Sequence, residues 1–161
     1  MSRISMTRHS GDEKESLMVK ATTVVKINKP IPDVFRIVGT DYVKNHRKWD
    51  SRNISTETEG PMAKGVRGVE KRKDGGRAMT YNFEVTEFQA NERMEFKARG
   101  GPVTFGATYA FQPDGDATQL SIEFTMSMGG IMRIIELFMG GGLQKDLTAT
   151  GVRIKDFVEK Q

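Results

Sequence analysis

Ala78-Met79-Thr80-Tyr81-Asn82-Phe83-Glu84-Val85-Thr86 is the stretch on which the fold turns. In an extended chain successive side chains point to opposite faces, so Met79, Tyr81, Phe83 and Val85 share one side and the polar or small residues share the other. One face is dry and one wet, the pattern of an antiparallel sheet covered on a single side. The same alternation returns at Met94, Phe96 and Ala98, at Val103, Phe105, Ala107, Tyr109 and Phe111, and at Leu120, Ile122, Phe124, Met126 and Met128. Turn signals at Gly60-Pro61, Asp74-Gly75-Gly76, Ala90-Asn91, Gly100-Gly101-Pro102 and Pro113-Asp114-Gly115 separate these runs. Strands at this spacing imply consecutive hairpins, hence a meander with one apolar face.

Toward the N-terminus, Val19, Ala21, Thr23, Val25 and Ile27 make one more two-faced strand, stopped at Lys29-Pro30. Pro32 and Asp33 suit the start of a short helix carrying Val34, Phe35, Ile37 and Val38, and a second short helix is expected over Asp41 to Trp49. Residues 1–18 mix charges with few apolar side chains and no period, and read as a disordered leader, leaving 19–161 as a single domain.

A sheet exposing so many aromatic and Met side chains would aggregate, so its dry face needs a cover. The C-terminus supplies one. Ile131, Ile134, Ile135 and Phe138, then Leu143, Leu147, Ile154 and Val158, recur at helical spacing. Gly140-Gly141-Gly142 lies between the two groups. Each glycine costs roughly 1 kcal/mol against alanine inside a helix, so a break, kink or mobile segment is expected there, or a plain loop between two helices.

Composition removes several classes of function. The 161 residues contain no Cys, which excludes disulfide scaffolds, thiolate metal sites and cysteine nucleophiles. Only His9 and His46 exist, so a histidine metal cluster is not expected. Gly140 to Gly142 lacks the Lys-Ser/Thr of a phosphate loop, no Gly-x-Ser-x-Gly elbow is present, and no cofactor is expected. No secretion signal or membrane-length apolar run is seen, and a cytoplasmic protein is expected. The formal charge is +4. Lys64 to Arg77 holds six cations against Glu70 and Asp74, and reads as a solvated face around a hairpin turn.

General acid or base work would need an ionisable group on the dry face. The registers place Glu84, Glu87, Glu95, Lys97, Arg99 and Glu123 on the other side. Thr23, Tyr81 and Tyr109 are the inward polar groups, with Tyr42, His46, Asp50 and Arg133 at the rim. A buried tyrosine usually packs its ring within the core, and His46, beside Arg47 and Lys48, reads as a solvated helix residue.

Several segments are similar to one known family. Val25-Lys26-Ile27-Asn28-Lys29-Pro30-Ile31-Pro32-Asp33-Val34-Phe35, Trp49 after the helical pair, Thr86-Glu87-Phe88, Tyr109 to Thr118, and Ile154 to Glu159 together resemble the polyketide cyclase/dehydrase and lipid-transport family, within the SRPBCC superfamily. The resemblance spans about Val19 to Glu159. It implies an α+β helix-grip fold, START-like or Bet v 1-like: a curved antiparallel sheet around a long C-terminal helix, with two short helices after the first strand and a cavity between sheet and helix. Members bind lipids, sterols, hormones or aromatic polyketides, and some catalyse cyclisation or dehydration.

With such a cavity, the soft and aromatic side chains become candidate ligand contacts: Trp49, Met79, Tyr81, Phe83, Phe105, Tyr109, Met126, Phe138, Met139 and Leu143. The expected partner is a hydrophobic small molecule such as a lipid, fatty acid or aromatic polyketide, with no nucleic acid and no stable membrane insertion. Two alternatives stand beside this binding role. One is a cyclase or dehydratase working in the same cavity through a tyrosine, His46 or Asp50, with the catalytic residues unassigned. The other is an interaction module whose Lys64 to Arg77 hairpin docks on an acidic partner.

Overall fold

The computed structural model describes residues 5–7, 17–74, 76–128 and 133–161, with side chains over 18–74, 76–127 and 142–161. The chain runs β1 (Ser5–Thr7), β2 (Leu17–Ile27), α1 (Ile31–Phe35), a π-helical turn (Arg36–Thr40) and α2 (Tyr42–Trp49). It continues through β3 (Asn53–Thr58), β4 (Arg67–Asp74), β5 (Arg77–Gln89), β6 (Arg93–Gly100), β7 (Val103–Asp114) and β8 (Ala117–Met128) to α3 (Arg133–Glu159). Every strand pair is antiparallel, in the order β1-β2-β8-β7-β6-β5-β4-β3. This is the helix-grip, Bet v 1-like arrangement of a curved sheet with three helices.

The two-faced strands bury the side the sequence marks as dry. Val19, Ala21 and Ile27 of β2, Tyr81, Phe83 and Val85 of β5, Met94 and Phe96 of β6, and Leu120 and Ile122 of β8 are all buried. The expected disordered leader is corrected in two places: Leu17 and Met18 already belong to β2, and Ser5–Thr7 pairs with Met18–Lys20, because the outer edge of β2 offers free peptide groups. Residues 1–4 and 8–16 lie outside the described residues.

Proline at the first turn starts α1, and Phe35 then drives into the sheet's far end. Its ring stands edge-on to Phe88 at 5.3 Å and to Phe111 at 5.1 Å, closing the space there.

The triple glycine does not interrupt α3, whose backbone is helical over all 27 residues. The expected break is therefore corrected, and the anchoring of the helix explains why. Leu147, Ile154 and Val158 are buried, and each such burial is worth roughly 1.5–3 kcal/mol, enough to offset about 1 kcal/mol per glycine. Polar anchors fix the helix along β2 beyond its pairing with β1. The Gln144 amide donates to the Thr22 carbonyl at 3.0 Å and accepts from its N–H at 3.3 Å, and the Lys155 ammonium donates to the Lys26 carbonyl at 2.7 Å. At Gly151 the helix lies so close that an added Cβ would sit 3.2 Å from Thr23. No described helix is long and apolar enough to cross a membrane.

Candidate functional site

Between the sheet and α3 the described residues bound a cavity of about 580 Å3. Its floor comes from β5 to β8 through Phe83, Phe96, Phe105, Ala107, Phe124 and Met126, and Leu143 and Leu147 of α3 face it. Tyr81 and Phe105 meet edge-to-face at 5.0 Å. Gly100 makes room for the first of these rings, since a Cβ there would lie 2.3 Å from Tyr81. A second hollow, of about 610 Å3, lies over β3 to β6. It is open, and charged surface side chains such as Arg67, Glu84 and Lys97 border it, so it lacks an enclosed apolar wall.

One wall of the inner cavity is polar, and helical periodicity builds half of it. Tyr42, His46 and Asp50 follow one another at intervals of four, stacking on one face of α2 and its C-cap. The Tyr42 hydroxyl lies 3.2 Å from His46 Nε2, the two rings stack at 4.5 Å, and Asp50 Oδ2 is 3.5 Å from the same nitrogen. On the other ring edge Asn53 Nδ2 approaches His46 Nδ1 at 3.3 Å and also donates to Thr56 Oγ1 at 2.8 Å.

Strand β4 builds the other half. Its register pairs Gly68 with Phe83, Glu70 with Tyr81 and Arg72 with Met79, so Glu70, Arg72 and Asp74 share the dry face of β5. Arg72 Nη1 donates to Asp50 Oδ2 and, at 2.7 Å, to Glu70 Oε1, while its Nε is 3.6 Å from Asp74 Oδ2. The Tyr81 hydroxyl donates to Asp74 Oδ2 at 2.9 Å. At the mouth, Arg52 pairs with Asp146 of α3 at 3.3 Å.

Two sequence expectations are corrected here. His46, read as solvated, is 5% exposed. The dry face, read as nearly free of ionisable groups, carries Glu70, Arg72 and Asp74 from within the hairpin read as a solvated face. Lys71 and Lys73 between them are exposed as expected. Six of the ten expected ligand contacts line the cavity: Tyr81, Phe83, Phe105, Tyr109, Met126 and Leu143. Trp49 and Met79 are not among the lining; Trp49 is fully buried, with its ring 5.9 Å from Phe157. The side chains of Phe138, Met139 and Arg133 lie outside the described residues.

Burial pushes the His46 imidazole below its ordinary range; Glu70 and Asp50 pull it up and Arg72 pushes it further down. The ring is neutral at pH 7. Burial raises the Asp50 carboxyl, but Arg72, His46 and the Arg52 N–H outweigh it and hold the group ionised. Burial would lower Arg72, yet Asp50, Glu70 and Asp74 lift it above its ordinary value. Burial and the neighbouring Tyr109 raise Tyr42 well above the usual phenol range, and burial with the Asp74 hydrogen bond pushes Tyr81 up to about 12. His46, Asp50 and Glu70 present donor atoms within 4.8 Å of one another, a spacing a metal ion could use. The Arg72 guanidinium already bridges the two carboxylates, so a metal would have to displace it.

Comparison with known proteins agrees with this architecture. The sequence profile of the family described as polyketide cyclase/dehydrase and lipid transport matches residues 18–159. Among solved structures the chain is similar to an aromatase/cyclase, Zhui, from Streptomyces sp. R1128, with a TM-score of 0.73 at 10% identity over 89% of this chain and 94% of that one. It is similar also to TTHA0849 from Thermus thermophilus, at 0.71 and 15% over 86% and 96%, and to a truncated norcoclaurine synthase from Thalictrum flavum, at 0.70 and 12% over 94% and 99%. At these identities the likeness concerns the fold. No curated protein matches the sequence.

Proposed function

The chain belongs to the polyketide cyclase/dehydrase and lipid transport family, and from that premise we propose that it binds a hydrophobic small molecule between the sheet and α3. The observation that carries this reading is the juxtaposition of an aromatic and thioether floor with a single polar wall. Ligand sites are mostly apolar, with a few polar groups that fix orientation. Apolar burial supplies the affinity, at about 25 cal/mol per Å2 before ordering costs, and the Tyr42, Arg72 and Tyr81 wall sets which end of the ligand points where. The test is thermal melting of wild type and Ala107→Trp with a panel of apolar and aromatic ligands. Ala107 lies in the floor, so an indole there fills the space. A saturable rise in Tm in the wild type, absent from a folded Ala107→Trp, is expected. Equal shifts in both proteins, or none in either, would contradict the reading.

A second reading, a cyclase or dehydratase in the same cavity, is favoured by a neutral buried imidazole 3.2 Å from a phenol at the cavity wall. Dehydration needs one group to take a C–H proton and another to protonate the departing hydroxyl, and the Tyr42–His46 pair offers both an acceptor and a donor. On an aromatic polyketide-type substrate, His46→Gln and Tyr42→Phe would each lower kcat by about 100-fold or more while leaving binding intact. Unchanged turnover in both variants removes this reading.

A further inference from the structure

The charge of the cavity wall narrows the ligand class further. Three carboxylates, Asp50, Glu70 and Asp74, share one guanidinium, Arg72, while the Arg52–Asp146 pair balances itself at the mouth. His46 contributes no positive charge at neutral pH. Among the described lining residues, four acidic side chains against two basic ones leave two formal negative charges facing an otherwise apolar space.

The hydrogen-bond pattern has the same sign. Asp50 is occupied on both oxygens, by Arg72 and by the Arg52 N–H. Among the described residues, Glu70 Oε2 has only His46 Nδ1 nearby, at 3.7 Å, and Asp74 Oδ1 only Arg52 at 4.0 Å, so each has acceptor capacity left. A second, independent feature agrees. Tyr42, Tyr81, Phe96, Phe105 and Tyr109 present rings around the same space. Aromatic faces carry negative quadrupole charge and attract cations, most strongly where water is excluded.

We propose that the ligand of this cavity carries an ammonium group on an apolar or aromatic body, and that the cavity selects against free carboxylates. The inference rests on the cavity being the ligand site, and it deepens that reading by assigning the head group. The ammonium lies against Glu70 and Asp74 and the body lies on the aromatic floor. A carboxylate in the same place would add a fourth anion around a single guanidinium, in a setting where like charges are poorly screened. A fatty acid is then a poor ligand although its chain fits the floor.

The experiment uses a matched series at neutral pH and below micellar concentrations: decylamine, decanol and decanoate, each displacing the uncharged fluorophore N-phenyl-1-naphthylamine from the full chain. Decylamine is expected to displace at least about tenfold more tightly than decanoate, with decanol between them. In Glu70→Gln and in Asp74→Asn the amine-to-carboxylate ratio shrinks toward one. Decanoate equal to or tighter than decylamine in the wild type overturns the proposal while leaving the cavity a ligand site. Fluorophore that never binds, or that none of the three displaces, overturns the ligand site itself and this inference with it. The wild-type series decides the matter even where a variant does not fold.

Discussion

His46 and Arg72 hold the polar wall together by opposite means, one by staying neutral and the other by staying charged. His46 is a base whose pKa in the folded chain lies below its unfolded value. The unfolded chain therefore binds that proton more readily, and stability falls as pH drops below the ordinary imidazole value of about 6.5, levelling off once the folded ring is protonated too. The depressed carboxylates Asp50, Glu95 and Glu159 act elsewhere, since their contribution is present in full above about pH 5 and is lost only as pH falls further. Urea unfolding at pH 7 and pH 5 should show a loss in wild type that His46→Gln abolishes; equal slopes in the two proteins would refute a buried neutral ring. Arg72→Ala leaves Asp50, Glu70 and Asp74 mostly buried without their cation, and should cost about 3–5 kcal/mol in the same assay. A loss below about 1 kcal/mol would mean that solvent already screens the cluster. Neither residue's burial was evident from its neighbours in the chain, because His46-Arg47-Lys48 and Lys71-Arg72-Lys73 look like solvated runs. Within the second run the decisive fact is alternation. Only counting back from the Asp74 to Arg77 pair at the hairpin end places Glu70 and Arg72 opposite Tyr81 and Met79, on the dry face. The turn was legible, and that count was the available signal.

Strands and helices were legible wherever one face is apolar. On strands β5 to β8 the described side chains of the alternate set that their sequences mark are buried or half-buried, because a one-residue slip would move every aromatic side chain into water. Strand β4 was not, since its inward face is ionic and leaves no hydrophobic alternation to read. Helix α3 misleads for a different reason: glycine propensity is local, whereas the helix is held by contacts far away in sequence, at Thr22, Thr23 and Lys26. Two substitutions separate those contributions. A Cβ at Gly142 meets nothing within 4 Å, so Gly142→Ala should stabilise by up to about 1 kcal/mol, seen as a Tm higher by roughly 2–4 °C. An unchanged or lower Tm would show that the backbone there is not helical in solution. Gln144→Ala removes two bonds to the β2 backbone and should destabilise by about 1–2 kcal/mol, with faster amide exchange at Thr22. Unaltered exchange there would mean that the helix does not cover that edge.

For the molecule as a whole, the two-faced meander, the short helical pair and the C-terminal cover define a floor and a roof, and the family match over residues 18–159 agrees with them. Aromatic floor residues such as Phe105 and Tyr109 were readable as lining because period and fold together aim them inward. The ionic wall was not, because it forms only when α2 and β4, 22 residues apart at the Asp50–Arg72 contact, meet in three dimensions. The chain's net +4 charge also conceals a cavity wall of the opposite sign. The central claim is that a small molecule occupies the space beneath α3. Intermolecular nuclear Overhauser effects measure this most directly, with decylamine as the bound probe and methyl-labelled methionine and ring-labelled phenylalanine in the protein. Cross-peaks from the alkyl chain to the Met126 methyl and the Phe105 ring are predicted. Saturable binding with no cross-peaks to either of these groups would contradict it.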